Sequence, residues 1–309
     1  SNTQAQVTVN PGGGSYATLN AAFAAINAGT HTGAITITIT NNTVEPAVSV
    51  PLLKSAAPSN YTSITIRPSG GNWVINSAVT PTASRGLIEL NGADNVTIDG
   101  DDPGTAGTRN LLFTSATSTS TGIALIRLSS TSLTGTDGAD NITIRNCSFL
   151  GSRSSATSTT VNYGIVMSNS SVITTGAYSS LNTIIENNEF MRCYRGVYAN
   201  GASATYPNTG LRIRNNVFGS ATASNNIGSN AVFITYTSTT AGTAASAIIE
   251  GNDIRVGDVS ASGSGYSASI SGIEIGTVNA GAIVRKNNIH DVLQPSTSGY
   301  GAFGINITG

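Results

Sequence analysis

The chain has 309 residues, 9% of them charged, with a net charge of −1. Soluble proteins ordinarily carry about 25% charged residues, and a surface this neutral has no field to draw in nucleic acid or an anionic membrane, which excludes both as charge-recognised partners. No stretch of about 18 apolar residues occurs, so no membrane insertion by a helix is expected.

The chain begins Ser1-Asn2-Thr3-Gln4-Ala5-Gln6, without an initiator Met or a signal peptide, and is expected to start at a mature N-terminus left by export. Tyr16, Leu19, Phe23 and Ile26 follow at offsets of three, four and three, the spacing that lines one helix face. Ser15 is the expected cap and Gly29 the stop. This predicts a short capping α-helix over residues 15–28, shielding the open end of what comes next. Residues 34–40 alternate Ile with Thr, the pattern of a half-buried strand. Thr36, Thr38 and Thr40 suggest an ice-binding row, but that needs Thr on turn after turn, and the array is expected to stop at this strand.

From there a short phrase recurs. It reads Val96-Thr97-Ile98-Asp99-Gly100, then Ile142-Thr143-Ile144-Arg145-Asn146, and returns around Ile185, Ile213, Ile249 and Val284. These anchors are 46, 41, 28, 36 and 35 residues apart. Between them stands a second phrase, a small residue followed by alternating apolar positions: Gly86-Leu87-Ile88, Gly122-Ile123-Ala124, Gly164-Ile165-Val166, Gly196-Val197-Tyr198, Gly272-Ile273-Glu274 and Gly304-Ile305-Asn306, with Ala231-Val232-Phe233 in the same slot. Self-similarity at this period marks a stacked repeat, whose units bury their apolar faces only against each other. Each unit is expected to be a strand, a turn, a second strand and a variable loop. Because no helical pattern separates the units, the predicted fold is all-β, a parallel β-helix of about seven coils. Length alone would suggest two domains, but uninterrupted repetition argues for one domain over residues 1–309.

Two asparagine columns support the coil. Asn188, Asn216, Asn252 and Asn287 stand three residues after their anchors, with Cys147 in that place one unit earlier; a corner is expected there, with left-handed backbone and stacked amides forming a structural ladder. Asn95, Asn141 and Asn182 stand three residues before theirs. Cys147 and Cys193 occupy different offsets and are expected to be separate buried thiols rather than a disulfide. At the far end the chain stops inside a Gly-Ile phrase, which leaves the C-terminal coil uncapped, to be continued by another segment or stacked on another copy.

Chemistry is sparse. Asp99, Asp101 and Asp102 before Pro103-Gly104 make a Ca²⁺ candidate, the only cofactor suggested, since three carboxylates around a tight turn suit a hard cation. They could also be a hydrolase acid/base pair, but a solvated turn in which Asp supplies local hydrogen bonds is the favoured reading. Arg192, Tyr194, Arg195 and Tyr198 concentrate cations and aromatics in a chain short of both, a candidate glycan-binding strip, or else an ordinary exposed corner. No His-x-x-x-His or Cys-x-x-Cys pattern occurs, so zinc chemistry is not suggested and no catalytic residue is assigned.

The segments Gly13-Gly14-Ser15-Tyr16-Ala17-Thr18-Leu19, Ile64-Thr65-Ile66-Arg67-Pro68 and Gly92-Ala93-Asp94-Asn95-Val96-Thr97-Ile98-Asp99-Gly100 resemble right-handed parallel β-helix modules of the pectate-lyase-like superfamily in large secreted or surface proteins of Bacteroidetes-type bacteria. The resemblance covers essentially the whole chain. It implies a right-handed coil and an extracellular, cell-surface location. The expected function is a non-catalytic structural or adhesive rod, part of an adhesin or extracellular fibre, whose partners are glycans or cell-surface components. The alternative is a polysaccharide lyase, glycoside hydrolase or glycan-binding domain using one face of the coil.

Overall fold

The computed structural model describes residues 5–77, 82, 85–115, 123–130, 137–151, 162–169, 176, 179–237, 244–258, 268–277, 281–296 and 298–309; Gly122 of the second phrase lies outside them. Among the described residues the strands form three sheets of nine, eight and eight members, every pairing parallel and every neighbour one turn away in the chain. An opening strand, Ala5–Val9, and a helix are followed by eight turns, one more than the repeat count suggested. Each turn gives one strand to each sheet in constant order; the fifth runs Ile184–Glu186, Glu189–Met191 and Arg195–Asn200. This is a parallel β-helix.

The anchors stack in register, Ile98 on Ile144, Ile185, Ile213, Ile249 and Val284. All but Val284 are fully buried. Three strands per turn replace the two expected. The missed one follows the asparagine corner and is as short as Val217–Phe218, too brief for an alternating pattern to show. Its inward position is nonetheless filled by a continuous ring stack of Phe113, Phe149, Phe190 and Phe218, with centroids 5.3, 4.8 and 4.8 Å apart and planes within 14°. Rings in successive turns are forced to near the strand spacing, so the pleat itself supplies the stacking geometry.

The capping helix spans Leu19–Asn27, not residues 15–28. Thr18 is the N-cap, its hydroxyl accepting from the Ala21 amide. Ser15 instead accepts from the Thr8 amide, and Tyr16 bridges to Val9 and bonds His31 through its hydroxyl at 2.8 Å. Pairing of Tyr16 with the opening strand keeps it extended, and this delays the helix. The buried Glu45 carboxylate accepts from the Leu19 and Asn20 amides, 3.0 Å each, and from Thr43 and the Asn20 side chain. A helix N-terminus presents unpaired amides and positive potential, so a buried anion is well placed there. Leu19, Phe23 and Ile26 seal the core at this end. At the other, Ile305 and Ile307 are 48% and 71% exposed, although they continue the columns of Ile273 and Ile275.

Candidate functional site

Three lines of side chains run along the coil. At the corner after the first sheet, Asn188, Asn216 and Asn252 are buried and joined in a ladder with Asn287. The Asn216 side-chain amide donates to the Ile185 carbonyl at 2.9 Å and to Asn252 Oδ1 at 3.0 Å, while its own oxygen accepts from the Asn188 backbone and side chain at 3.0 and 3.1 Å. Asn252 and Asn287 repeat the pattern. Cys147 contributes its amide to Asn188 Oδ1 at 3.0 Å and so begins the column without an amide of its own. The left-handed backbone expected at these asparagines lies one residue earlier, at Asn146, Asn187, Asn215, Gly251 and Lys286. The corner therefore divides two tasks between adjacent residues, one bending the chain and the next paying its hydrogen bonds.

On the outer face of the first sheet, one register column reads Asp99, Arg145, Glu186, Arg214, Glu250 and Arg285, alternating in sign at every turn. Arg145 meets Asp99 at 2.8 Å, Arg214 meets Glu186 at 2.7 Å and Arg285 meets Glu250 at 2.7 Å. Beside it, Thr36, Thr65, Thr97 and Thr143 stack over four turns before Ile184 ends the row, longer than the single strand expected, though flanked by charges.

The acidic turn does not converge. Asp99 is held by Arg145 and by the Asn146 amide at 2.8 Å, and its other contact is the Asp101 backbone. Asp102 is tied to its own loop and to the preceding coil, accepting from Thr105 Oγ1 at 2.6 Å and from the Gly104 and Gly70 amides; the Thr105 bond, aided by those amides, holds its carboxyl below the usual range. Among the described residues no three His, Cys, Asp or Glu side chains gather in a metal-holding group. Ca²⁺ at this turn would require Asp99 to leave its arginine.

The third sheet carries the densest chemistry on its outer face. One register column there runs Glu89, Arg127, Val166, Tyr198, Phe233 and Glu274. At its start Glu89 accepts from Arg85 at 2.8 Å and from the Gly86 amide at 2.7 Å, with the fully buried Arg127 at 3.3 Å. Further along, the Arg195 guanidinium lies 5.5, 4.9 and 4.7 Å from the rings of Tyr194, Tyr198 and Phe233. Tyr163 adds an edge contact to Tyr194 and a tilted one to Tyr198. Burial pushes the Tyr163 phenol up to about 12 and that of Tyr198 upward, so both stay neutral, and the Tyr198 hydroxyl oxygen accepts from the Asn200 side-chain amide at 3.2 Å. Asn230 donates to Glu274 at 2.7 Å at the far edge.

Tyr194, Arg195 and Tyr198 thus come together, whereas Arg192 occupies the preceding corner in left-handed backbone, φ 54°. Tyr163, Phe233 and Glu274 were missed from sequence, although Tyr198, Phe233 and Glu274 share the third place of the Gly-Ile phrase. Carboxylates at Glu89 and Glu274 are five turns apart, about 24 Å at the strand spacing, against the roughly 5–10 Å between a glycosidase pair. Both cysteines are free and buried; burial pushes the Cys147 thiol well above its ordinary value, away from thiolate chemistry. Compared with known proteins, the chain matches no family model, no curated protein and no solved structure.

Proposed function

We propose that this chain is a non-catalytic structural or adhesive β-helix rod of the extracellular, cell-surface kind, akin to the right-handed modules of the pectate-lyase-like superfamily in large secreted proteins of Bacteroidetes-type bacteria. The observation that carries the proposal is that conspicuous polar side chains bond to one another along the axis: asparagine to asparagine turn after turn, and acid to arginine across every second pair of turns. Such ladders stiffen a rod. Variable loops and glycan or surface partners would then supply recognition, and the strand edge of the last turn would accept a further turn from a following segment or another copy. The test is incubation with pectin, alginate and neutral glycans, with and without Ca²⁺, followed by product analysis. No cleavage is expected. Turnover abolished by Asp99→Ala or Asp101→Ala would overturn the proposal.

A second function, glycan binding, is favoured by the aromatic and arginine cluster of the third sheet. Of its members Tyr194, Arg195 and Phe233 are part-exposed over the buried Tyr163 and Tyr198, and a ring with an adjacent guanidinium suits the apolar face and hydroxyls of a sugar. Oligosaccharide titration followed by tyrosine fluorescence should saturate in wild type and weaken about tenfold or more in Tyr194→Ala, a loss of roughly 1.4 kcal/mol. Equal binding by both proteins would remove this cluster as the site.

A further inference from the structure

The last turn carries a polar cluster that neither the rod nor the glycan proposal uses. Strand Asn288–Leu293 pairs with Asp253–Gly257, but the register slips: Ile254 faces Ile289 while Val256 faces Val292, so His290 and Asp291 both stand against Arg255. This is a β-bulge, and Asp291 adopts φ 50° to make it. The bulge gathers four charged or titratable groups. His290 Nε2 lies 3.0 Å from Asp253 Oδ1 and Nδ1 lies 2.9 Å from Asp291 Oδ2. Arg255 reaches Asp253 at 2.8 Å and Asp291 at 3.7 Å, and the Asn288 amide donates to Asp253 at 2.7 Å.

Both imidazole nitrogens therefore face carboxylate oxygens, which only accept. A neutral ring has one N–H and one lone pair, so one of the two contacts would set a lone pair against an anion. A doubly protonated ring satisfies both and balances the cluster, two cations against two anions. Among the described residues the groups facing His290 are Asp253 and Arg255 on the preceding turn and Asp291 on its own strand.

We infer that His290 is a proton-operated clasp: protonated, it ties the bulged strand of the last turn to the turn before it; deprotonated, it releases one carboxylate and loosens that strand. Among the described residues this strand is the last of its sheet, so acidity would tighten it and neutral or alkaline conditions would free its backbone groups.

Hydrogen–deuterium exchange of residues 1–309 at about pH 5 and pH 8, values either side of the ordinary imidazole range, tests this after correction for intrinsic rates. Peptides covering residues 288–293 should exchange about two- to fivefold more slowly at the lower pH, the factor a partly exposed ion pair supplies. His290→Gln should abolish the difference, while peptides over residues 140–145 report other titrations separately. A wild-type ratio near one, or the same ratio in His290→Gln, would overturn the clasp. Should that variant fail to fold, Asp253→Asn, which removes one of the two carboxylates facing the ring, takes its place: the pH difference should shrink, and an unchanged ratio would refute the clasp.

Discussion

The two asparagine columns use one residue type at the two corners flanking the first sheet for different physical reasons. Asn95, Asn141 and Asn182 are exposed and take φ values of 55–57°, each passing one side-chain bond to the next at 3.2 and 3.1 Å. Asn188, Asn216 and Asn252 are buried, lack that backbone, and spend both ends of the amide on neighbouring turns. The first column is chosen for a conformation that Asn tolerates and Gly tolerates better; indeed Gly210, φ 71°, takes the same place in the following turn. The second is chosen for hydrogen bonds that no other side chain of that size supplies. Identical letters at a repeat thus need not mean identical roles.

Substitutions separate the two. An interior rung sets the upper scale: Phe190→Ala, which breaks the ring stack at its centre, is expected to cost about 3–5 kcal/mol in denaturant unfolding. Asn216→Leu should follow at about 1–3 kcal/mol, because the Ile185 carbonyl and the Asn188 amide lose their partners inside the protein. An unchanged unfolding midpoint would mean that the buried ladder is not what holds this corner.

The exposed corner answers to pH instead. Burial, only partly offset by the Leu181 amide, pushes the Asp140 carboxyl up to about 6. An unfolded aspartate titrates near 3.9, so between these values the folded chain holds the extra proton, and this group's contribution to stability falls as pH rises from about 4 to 6. Asp140→Asn keeps an oxygen for Leu181 and is expected to flatten that slope, adding about 1 kcal/mol at neutral pH once solvent screening is allowed for. Thermal melts across the range would check it, and a steeper slope in the variant would contradict the sign. Smallest of all, Asn141→Gly should change stability by under about 0.5 kcal/mol, whereas Asn216→Gly should behave like Asn216→Leu. A large loss in Asn141→Gly would collapse the distinction between the columns.

Most of the architecture was legible in the residues. The anchors Ile98 to Val284 and the Gly-Ile phrases alternate strongly enough to reveal parallel stacking, because an inward side chain must repeat at the same offset in every turn. The short second strand was not legible, since in the first six turns it has only two to four residues, as at Val217–Phe218, too few positions for a period to emerge. Nor was the true helix start, which depends on Tyr16 pairing with a strand seven residues away from it. The candidate site was legible only in part. Tyr194, Arg195 and Tyr198 stood out as a local concentration, but Tyr163 and Phe233 each lie a full turn away from that group in the chain.

Sequence by itself determined the repeat, the inward columns and the positions of the asparagines. Only the tertiary structure decided which asparagine bends the chain, which carbons face Arg195, and which acid meets which arginine. The physical reason is that loops of different length sit between equivalent positions: backbone pairing restores the register in space, while the chain, counted residue by residue, does not display it.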